Sequence, residues 1–388
     1  MTRPCWLGGA ALVLAICQAA CAFNFSWSEQ TAGAQPDGHS DSAAAAAGQW
    51  QSAGSKPMPW VGPSALFGVS ARSGDRSVLV RAVLTPPLAN QALCVRLTDL
   101  RDLQGQPWSE PVGPCAGCAQ TPGVGFAQAL WAADELPFGG LDLRAQVVTC
   151  ATAQPVDLQD SGVHEPRDVE VTVWHAPLLP AGQARLHVRL AFDTTVAGAA
   201  AGWGAVKTVA VGALRDAGFD VLVRPDLTLP AQALSAPVAL GTGQADRELA
   251  LEQAVVAALA GQPNSGAPAA NLDVVVVATP CLDWFAPDGA ATRLLGHSTR
   301  MPGGPRSELG ASLVVVGTAD CKQPKPSDYT RLGNVMAHEI GHFLGLGHDT
   351  ATPANLMTPD IADRGSAPLA FSVAQAQRLR LHPLVVAP

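Results

Sequence analysis

The spacing of three histidines and one glycine near the C-terminus constrains the fold more than any other feature of the sequence. Residues 338–349 read His-Glu-Ile-Gly-His-Phe-Leu-Gly-Leu-Gly-His-Asp. On a helix, His338 and His342 lie one turn apart on the same face, so both imidazoles can reach one metal ion. Gly345 tolerates a positive φ, and it can therefore end the helix and turn the chain until His348 joins them. This spacing predicts a helix over 329–344 that stops at a glycine turn.

The residue types in this segment suit a catalytic zinc site. Zn²⁺ binds imidazole nitrogens at ~2.0–2.1 Å, and three protein ligands leave a fourth position for water. Glu339 lies one step round the helix from His338, where its carboxylate can take a proton from a metal-bound water. We therefore predict that His338, His342 and His348 hold one Zn²⁺ per chain and that Glu339 is the catalytic base.

The same segment resembles the zinc signature of the metzincin clan of metallopeptidases. That clan also has a methionine turn below the metal, and Met357 stands nine residues after His348. Asp349, directly after the third histidine, is similar to the residue found in adamalysin-like members. The resemblance implies that Gly345, Asp349 and Met357 support the site structurally, with Met357 packed beneath the ligands.

The resemblance also implies an extended substrate beside an edge strand. Gly296, His297 and Ser298 resemble the edge segment beside the cleft in that clan, where a peptide adds a strand through main-chain hydrogen bonds. For His297 a second interpretation stays open, that of an ordinary side chain on an exposed strand. Astacin- and serralysin-like members carry a tyrosine two residues after the methionine, whereas Pro359 stands there in this chain. An oxyanion would therefore be stabilised by the metal and by backbone groups.

Strand and helix patterns divide the chain into two regions. Short alternating or β-branched segments separated by Pro, Gly and Asn predict an all-β, sandwich-like domain over 61–180. After residue 180, strands alternate with helices, and the continuous apolar run Leu272–Ala278 predicts a strand buried on both faces. Together with the resemblance, this pattern predicts an α+β fold, with a metzincin-like zinc metallopeptidase domain over 181–388. That domain would contain a twisted mixed sheet, an active-site helix and a C-terminal helix opened by a capping box at Ser372.

The N-terminal residues are typical of a secretory signal peptide. A short apolar run over residues 5–17 follows a single positive charge and leads into small residues up to Ala22. We expect a signal peptide over 1–22, a flexible linker over 23–60, and export to the extracellular space, the periplasm or the outer surface. Two fates stay open: simple cleavage after the small residues, or lipidation of Cys21 as in a bacterial lipoprotein.

Cysteine usage agrees with export. Beyond the N-terminal segment an even number of cysteines remains, which in an exported chain suggests disulfides. They are Cys94, Cys115, Cys118, Cys150, Cys281 and Cys321. We predict a disulfide between Cys281 and Cys321, while the connectivity of the four earlier cysteines stays open.

Composition narrows the range of partners and functions. The chain has 24 Lys+Arg against 32 Asp+Glu, and this acidic balance argues against a nucleic-acid partner. We expect a protein or peptide substrate, and membrane contact only through a lipid on Cys21. The predicted function is that of an exported zinc-dependent endopeptidase. Two alternatives stay open: a surface binding protein with a non-catalytic zinc site, and a zinc hydrolase acting on a non-peptide amide. The oligomeric state also stays open.

Overall fold

The computed structural model describes the chain from residue 51 to residue 388, apart from several segments. The segments outside this description are 53–55, 60–63, 86–92, 103, 109–125, 150–153, 155–167, 194–198, 235–236, 242–243, 262–271, 287–288, 305–311, 353 and 362–368. The predicted signal peptide, Cys21, Cys115, Cys118 and Cys150 lie outside the described residues. All described residues belong to one compact unit, Ser42–Pro388. None of the described helices has the length and apolar character needed to cross a membrane.

The first half of the described chain forms two antiparallel sheets, which we call the β-sandwich. Its strands are β1 (Gln51–Ser52), β2 (Lys56–Pro59), β3 (Ser64–Val69), β4 (Asp75–Thr85), β5 (Leu93–Asp102), β6 (Phe126–Ala132), β7 (Leu141–Thr149) and β8 (Asp168–Pro177). One sheet has the order β1-β8-β4-β6, with β2 also paired to β8, and the other has the order β3-β7-β5. Apolar side chains from both sheets, such as Val80 and Leu143, form a shared core.

The predicted linker over 23–60 is wrong at its C-terminal end. Strands β1 and β2 lie inside that range and pair antiparallel with β8. Their partner is more than a hundred residues further along the chain, so local composition cannot reveal the pairing. Strand β6 contains Ala and Gln residues with little intrinsic strand preference, so its sequence pattern by itself predicts no strand. Its pairing with β4 supplies the strand conformation.

The second half contains a mixed sheet with helices on both faces. The strands of this half of the chain are β9 (Arg185–Phe192), β10 (Asp220–Val223), β11 (Leu227–Thr228), β12 (Val238–Gly241), β13 (Asp273–Ala278), β14 (Leu282–Phe285), β15 (Ala291–Leu294), β16 (Gly296–Ser298), β17 (Val314–Val316) and β18 (Val385–Val386). Its helices are α1 (Ala199–Asp216), α2 (Ala245–Ala260), α3 (Tyr329–Phe343) and α4 (Val373–Leu379). The main sheet has the order β10-β9-β13-β17-β16, with β11 and β18 also paired to β9. Strands β12, β14 and β15 form a separate small sheet.

The central strand of the main sheet is buried on both faces, as its apolar run predicts. Val274 and Val276 lie in the core that includes α1 and α3. Val275 and Val277 point to the opposite face and share a core with side chains of α2. The catalytic candidates on α3 therefore stand on a helix that is anchored to a rigid sheet.

Two local predictions need correction. The residue pattern over 294–299 predicts a single short strand, but the structure divides it: β15 pairs with β14, and β16 pairs with β17 in the other sheet. A strand cannot serve both sheets, so the chain changes partner at Leu295. The capping box at Ser372 is present. The sequence pattern predicts a helix that continues through Leu381, whereas α4 ends at Leu379. The predicted domain boundary between residues 180 and 181 lies between β8 and β9 and stays a prediction.

The sheet containing β4 and β6 is buried on both faces. Val78 and Val80 face the core of the β-sandwich. On the opposite face, Leu79 and Leu130 form a small cluster with Trp174. At the start of β4, the buried guanidinium of Arg76 donates hydrogen bonds to the carbonyl oxygens of Arg380 at 2.8 Å and of His382 at 3.0 Å. The β-sandwich and the second half of the chain therefore share a buried contact.

A neutral imidazole at this contact makes stability depend on pH. His382 is fully buried, and its Nε2 donates to the carbonyl oxygen of Gly303 at 2.8 Å while its Nδ1 accepts from the Leu384 amide at 3.2 Å. Burial lowers the pKa of this imidazole to about 3, and the positive charge of Arg76 acts in the same direction.

We therefore expect acid to destabilise the fold through His382. The unfolded state gains the proton near pH 6.5, so this contribution is complete above that pH and is lost as the pH falls towards 3. At pH 5 the loss is about 2 kcal/mol, at 1.36 kcal/mol per pKa unit. The measurement is urea unfolding of wild type and His382→Gln at pH 7.5 and pH 5. Equal pH dependence of the two proteins would contradict the assignment.

Candidate metal centre

Helix α3 and the turn that follows it bring the three predicted histidines together. The candidate ligand atoms of His338, His342 and His348 all lie within 4.8 Å of one another. The Nε2 atoms of His342 and His348 are 3.1 Å apart. Two nitrogens held tetrahedrally at 2.0–2.1 Å from one ion would be about 3.3 Å apart, which is close to this distance. Among the described residues, no other group of three His, Cys, Asp or Glu side chains is arranged to hold a metal.

Backbone carbonyls orient two of the three imidazoles. Nδ1 of His338 lies 2.6 Å from the carbonyl oxygen of Leu356, and Nδ1 of His342 lies 2.7 Å from that of Leu346. A carbonyl oxygen can only accept a hydrogen bond, so each Nδ1 carries the hydrogen and each Nε2 keeps its lone pair. This arrangement is typical of metal-binding histidines, because the outer bond fixes the tautomer and the ring direction.

The histidines are held in the neutral form that binds metals. Burial lowers the pKa of His338 to about 4, and it lowers the pKa of His342 well below the usual value. The side chain of His348 is exposed, unlike the other two, and desolvation by its neighbours also lowers its pKa. Three neutral nitrogen donors around one point fit Zn²⁺ in chemistry and in number.

The glycine turn has the conformation that the spacing predicts. Gly345 has a φ of 96°, in the left-handed region that residues other than glycine rarely adopt. The amide of Leu346 donates to the carbonyl oxygen of Gly341 at 2.9 Å, which closes the end of the helix. The chain can then turn back and present His348 beside the two helical ligands.

Met357 lies directly against the active-site helix. A Cβ atom placed on Gly341 would be 2.6 Å from Met357 Sδ, so the helix has no space for a side chain at that position. Met357 is fully buried, and its amide donates to Oδ1 of Asn355 at 2.7 Å. The methionine is thus packed against the helix that carries His338 and His342.

A polar network joins the segment that carries Met357 to α4. The Asp349 amide donates to the Met357 carbonyl oxygen at 2.7 Å. The Gln375 side chain accepts from Asn355 Nδ2 at 2.9 Å and lies 3.5 Å from Oδ2 of Asp349. Sequence reasoning missed Asn355 and Gln375 as supporting residues. An asparagine two residues before the methionine was a usable signal, since it often accepts from a backbone amide at that spacing.

Glu339 lies between the helix and the edge strand. A Cβ on Gly296 would be 2.6 Å from Glu339 Cγ and 2.6 Å from Val335 Cγ1, so the strand backbone touches this face of the helix. Only glycine permits this approach, and sequence reasoning did not find that role. The Ser298 amide donates to the carboxylate. Burial raises the pKa of Glu339 to about 8, and the bond from Ser298 opposes that shift.

Among the described residues, β16 is the last strand on its side of the main sheet. It pairs antiparallel with β17, with His297 opposite Val315. The Thr299 amide donates to the Leu313 carbonyl oxygen, and the Gly317 amide donates to the Leu295 carbonyl oxygen. Residues 295, 297 and 299 are therefore the hydrogen-bonded positions of the strand, and Gly296 and Ser298 are not. The alternation of an antiparallel ladder then turns the amide and carbonyl groups of Gly296 and Ser298 away from β17, and the Ser298 amide there donates to the Glu339 carboxylate.

His297 points away from the active-site helix. Successive side chains of a strand alternate between its two faces, and Gly296 and Ser298 take the face towards α3. The imidazole instead packs against Trp284 of β14, with the ring centroids 4.6 Å apart. Burial lowers the pKa of His297 to about 4. The structure thus separates His297 from the other two predicted substrate-binding residues.

The predicted late disulfide is present. Cys281 and Cys321 are bonded, with their Cα atoms 4.5 Å apart. Cys281 follows β13, and Cys321 lies between β17 and α3. The bond therefore joins two loops on the approach to the active-site helix.

Comparisons with known proteins give only distant similarities. No protein-family model and no curated protein matches the chain. Among solved structures, the chain is similar to archaemetzincin from Methanopyrus kandleri, with 22% identity, a TM-score of 0.32, and coverage of 52% of this chain and 97% of the other. It is also similar to metalloproteinase-II from Bacteroides fragilis, with 14% identity, a TM-score of 0.32, and coverage of 54% and 62%. Both similarities are too distant to place the chain in a family.

Proposed function

We propose that this chain is an exported zinc-dependent endopeptidase. The observation that carries the proposal is the convergence of His338, His342 and His348 beside the buried carboxylate of Glu339. A site with a purely structural metal has no chemical use for a carboxylate in that position. A protonatable group next to three neutral nitrogen donors is instead suited to hydrolysis.

The residues of the chain have separable roles in this reaction. The three imidazoles would hold Zn²⁺, which when bound polarises a scissile carbonyl and lowers the pKa of a water molecule. Glu339 takes the proton of the attacking water and passes it to the leaving amine.

The substrate lies extended along the open edge of β16. The Gly296 amide and carbonyl and the Ser298 carbonyl point towards that edge, where they pair with an added strand. Main-chain pairing of this kind selects an unfolded or flexible segment rather than a particular side chain. It also favours an internal peptide bond over a chain end, because the substrate can extend in both directions.

Export is the part of the proposal that rests on sequence. The N-terminal segment has the layout of a signal peptide, and a lipid on Cys21 would be the one membrane attachment. The disulfide between Cys281 and Cys321 agrees with an oxidising compartment.

Removal and return of zinc tests the proposal. The purified chain is expected to contain about one zinc ion and to cleave an unfolded protein substrate, since the site has three ligands and an open position. A chelator should abolish cleavage, and stoichiometric Zn²⁺ should restore it. Mass spectrometry of the products checks that internal peptide bonds are cut. Zinc binding without cleavage of any peptide, together with hydrolysis of another amide, would replace this proposal by the non-peptide alternative.

A further inference from the structure

The outer face of the β-sandwich reaches the turn that presents the third histidine. Cδ2 of Leu130 lies 3.3 Å from the position that a Cβ on Gly345 would occupy, and Pro302 lies on the same side at 3.6 Å. Leu130 is 7% exposed and belongs to the cluster with Leu79 and Trp174. The glycine turn before His348 thus rests on a side chain contributed by β6.

A second connection runs from β6 through α4 to the methionine turn. Arg378 donates to both carboxylate oxygens of Glu135, at 2.7 and 2.8 Å, and to the carbonyl oxygen of Leu130 at 2.9 Å. Gln375, on the same short helix, contacts Asp349 and Asn355. One helix therefore joins the β-sandwich to the residues around Met357.

We propose that the outer face of the β-sandwich holds the glycine turn before His348 in place, and that Leu130 is a positioning residue for His348. The inference rests on the proposed zinc function. It assigns the β-sandwich a permanent role in metal retention rather than that of a removable propiece. The reason is geometric: Leu130 contacts the glycine turn, Arg378 of α4 bonds to the Leu130 carbonyl oxygen, and Gln128 of the same strand lies close to Gly304.

The test compares two large-to-small variants of the full-length chain. Leu130→Ala removes the side chain under the turn. Leu143→Ala is the matched control, because Leu143 is fully buried in the core of the same β-sandwich. Zinc loss to a chelator is expected to be about tenfold faster in Leu130→Ala than in Leu143→Ala, as for other residues that orient metal ligands. Leu130→Met, which nearly conserves volume, should restore the slow rate.

A second measurement does not depend on metal. The amides of Leu346 and Asp349 close the turn on either side of His348. Their hydrogen exchange should be about tenfold faster in Leu130→Ala than in the control. In wild type, opening of the turn must break the contact with Leu130, and in the variant that contact is absent, so opening costs less free energy. If Leu130→Ala does not fold, Leu130→Val is measured in the same way against Leu143→Val.

The outcomes separate the two proposals. If the rates of zinc loss and of amide hydrogen exchange in Leu130→Ala equalled those in Leu143→Ala, the positioning role of Leu130 would be overturned. A wild-type chain that binds no zinc would refute the proposed function, and the exchange rates alone would then decide the role of Leu130. Faster exchange confined to the turn, together with rescue by Leu130→Met, would support the inference.

Discussion

Glu339→Ala is expected to lower kcat for peptide cleavage by about 10³-fold, within the range that general acid–base catalysis contributes. The carboxylate lies against the Gly296 backbone of β16, on the helix that carries His338 and His342. Zinc should stay bound, because none of the three ligands is changed. The measurement pairs kcat on an unfolded protein substrate with zinc content.

Glu339→Gln separates proton transfer from packing. Glutamine keeps the volume of the side chain and can still interact with the Ser298 amide through its carbonyl oxygen, but it cannot take a proton. Both variants should therefore be equally inactive. If the glutamine variant retained activity near that of wild type with full zinc content, Glu339 would not be the base.

Gly296→Ala is expected to lower kcat by about 10²-fold, which is typical of a small misplacement of a catalytic group. The added methyl group would lie 2.6 Å from Glu339 Cγ and 2.8 Å from its Oε1, so either the strand or the carboxylate must move. The ligands are untouched, and zinc content should be that of wild type. Steady-state kinetics and metal analysis of the folded variant check this expectation.

Gly68→Ala is the matched control for that experiment. Gly68 also lies in a strand, and a Cβ there would meet only Asp142 Oδ1 at 3.5 Å, an ordinary contact. This variant should keep the wild-type kcat. A Gly296→Ala variant with unchanged kcat would show that the strand and the carboxylate are not in the contact described.

The metal centre could be predicted from sequence because its determinants are local. His338, His342, Gly345 and His348 lie within eleven consecutive residues, and helix geometry alone places two of them on one face. The buried strand Leu272–Ala278 was also recognisable, because its apolar run permits few other structures.

What could not be predicted depends on partners distant in sequence. Strands β1 and β2 become strands only because β8 pairs with them. Gly296 allows the strand to approach α3 because it has no Cβ atom, and the side chain it approaches, Glu339, is forty-three residues away in the sequence. Gln375 was predicted as part of a helix cap, but its contact with Asn355 depends on tertiary packing.

The groups that orient the imidazoles have a consequence for biosynthesis. All three ligands precede residue 349, yet the Leu356 carbonyl that directs His338 and the Asn355–Gln375 contact come from later in the chain. A nascent chain that has been synthesised only as far as His348 therefore contains all three histidines but lacks the groups that orient their imidazole rings. We therefore expect the imidazole rings to become oriented, and a metal to bind tightly, only after the C-terminal segment has been synthesised and folded.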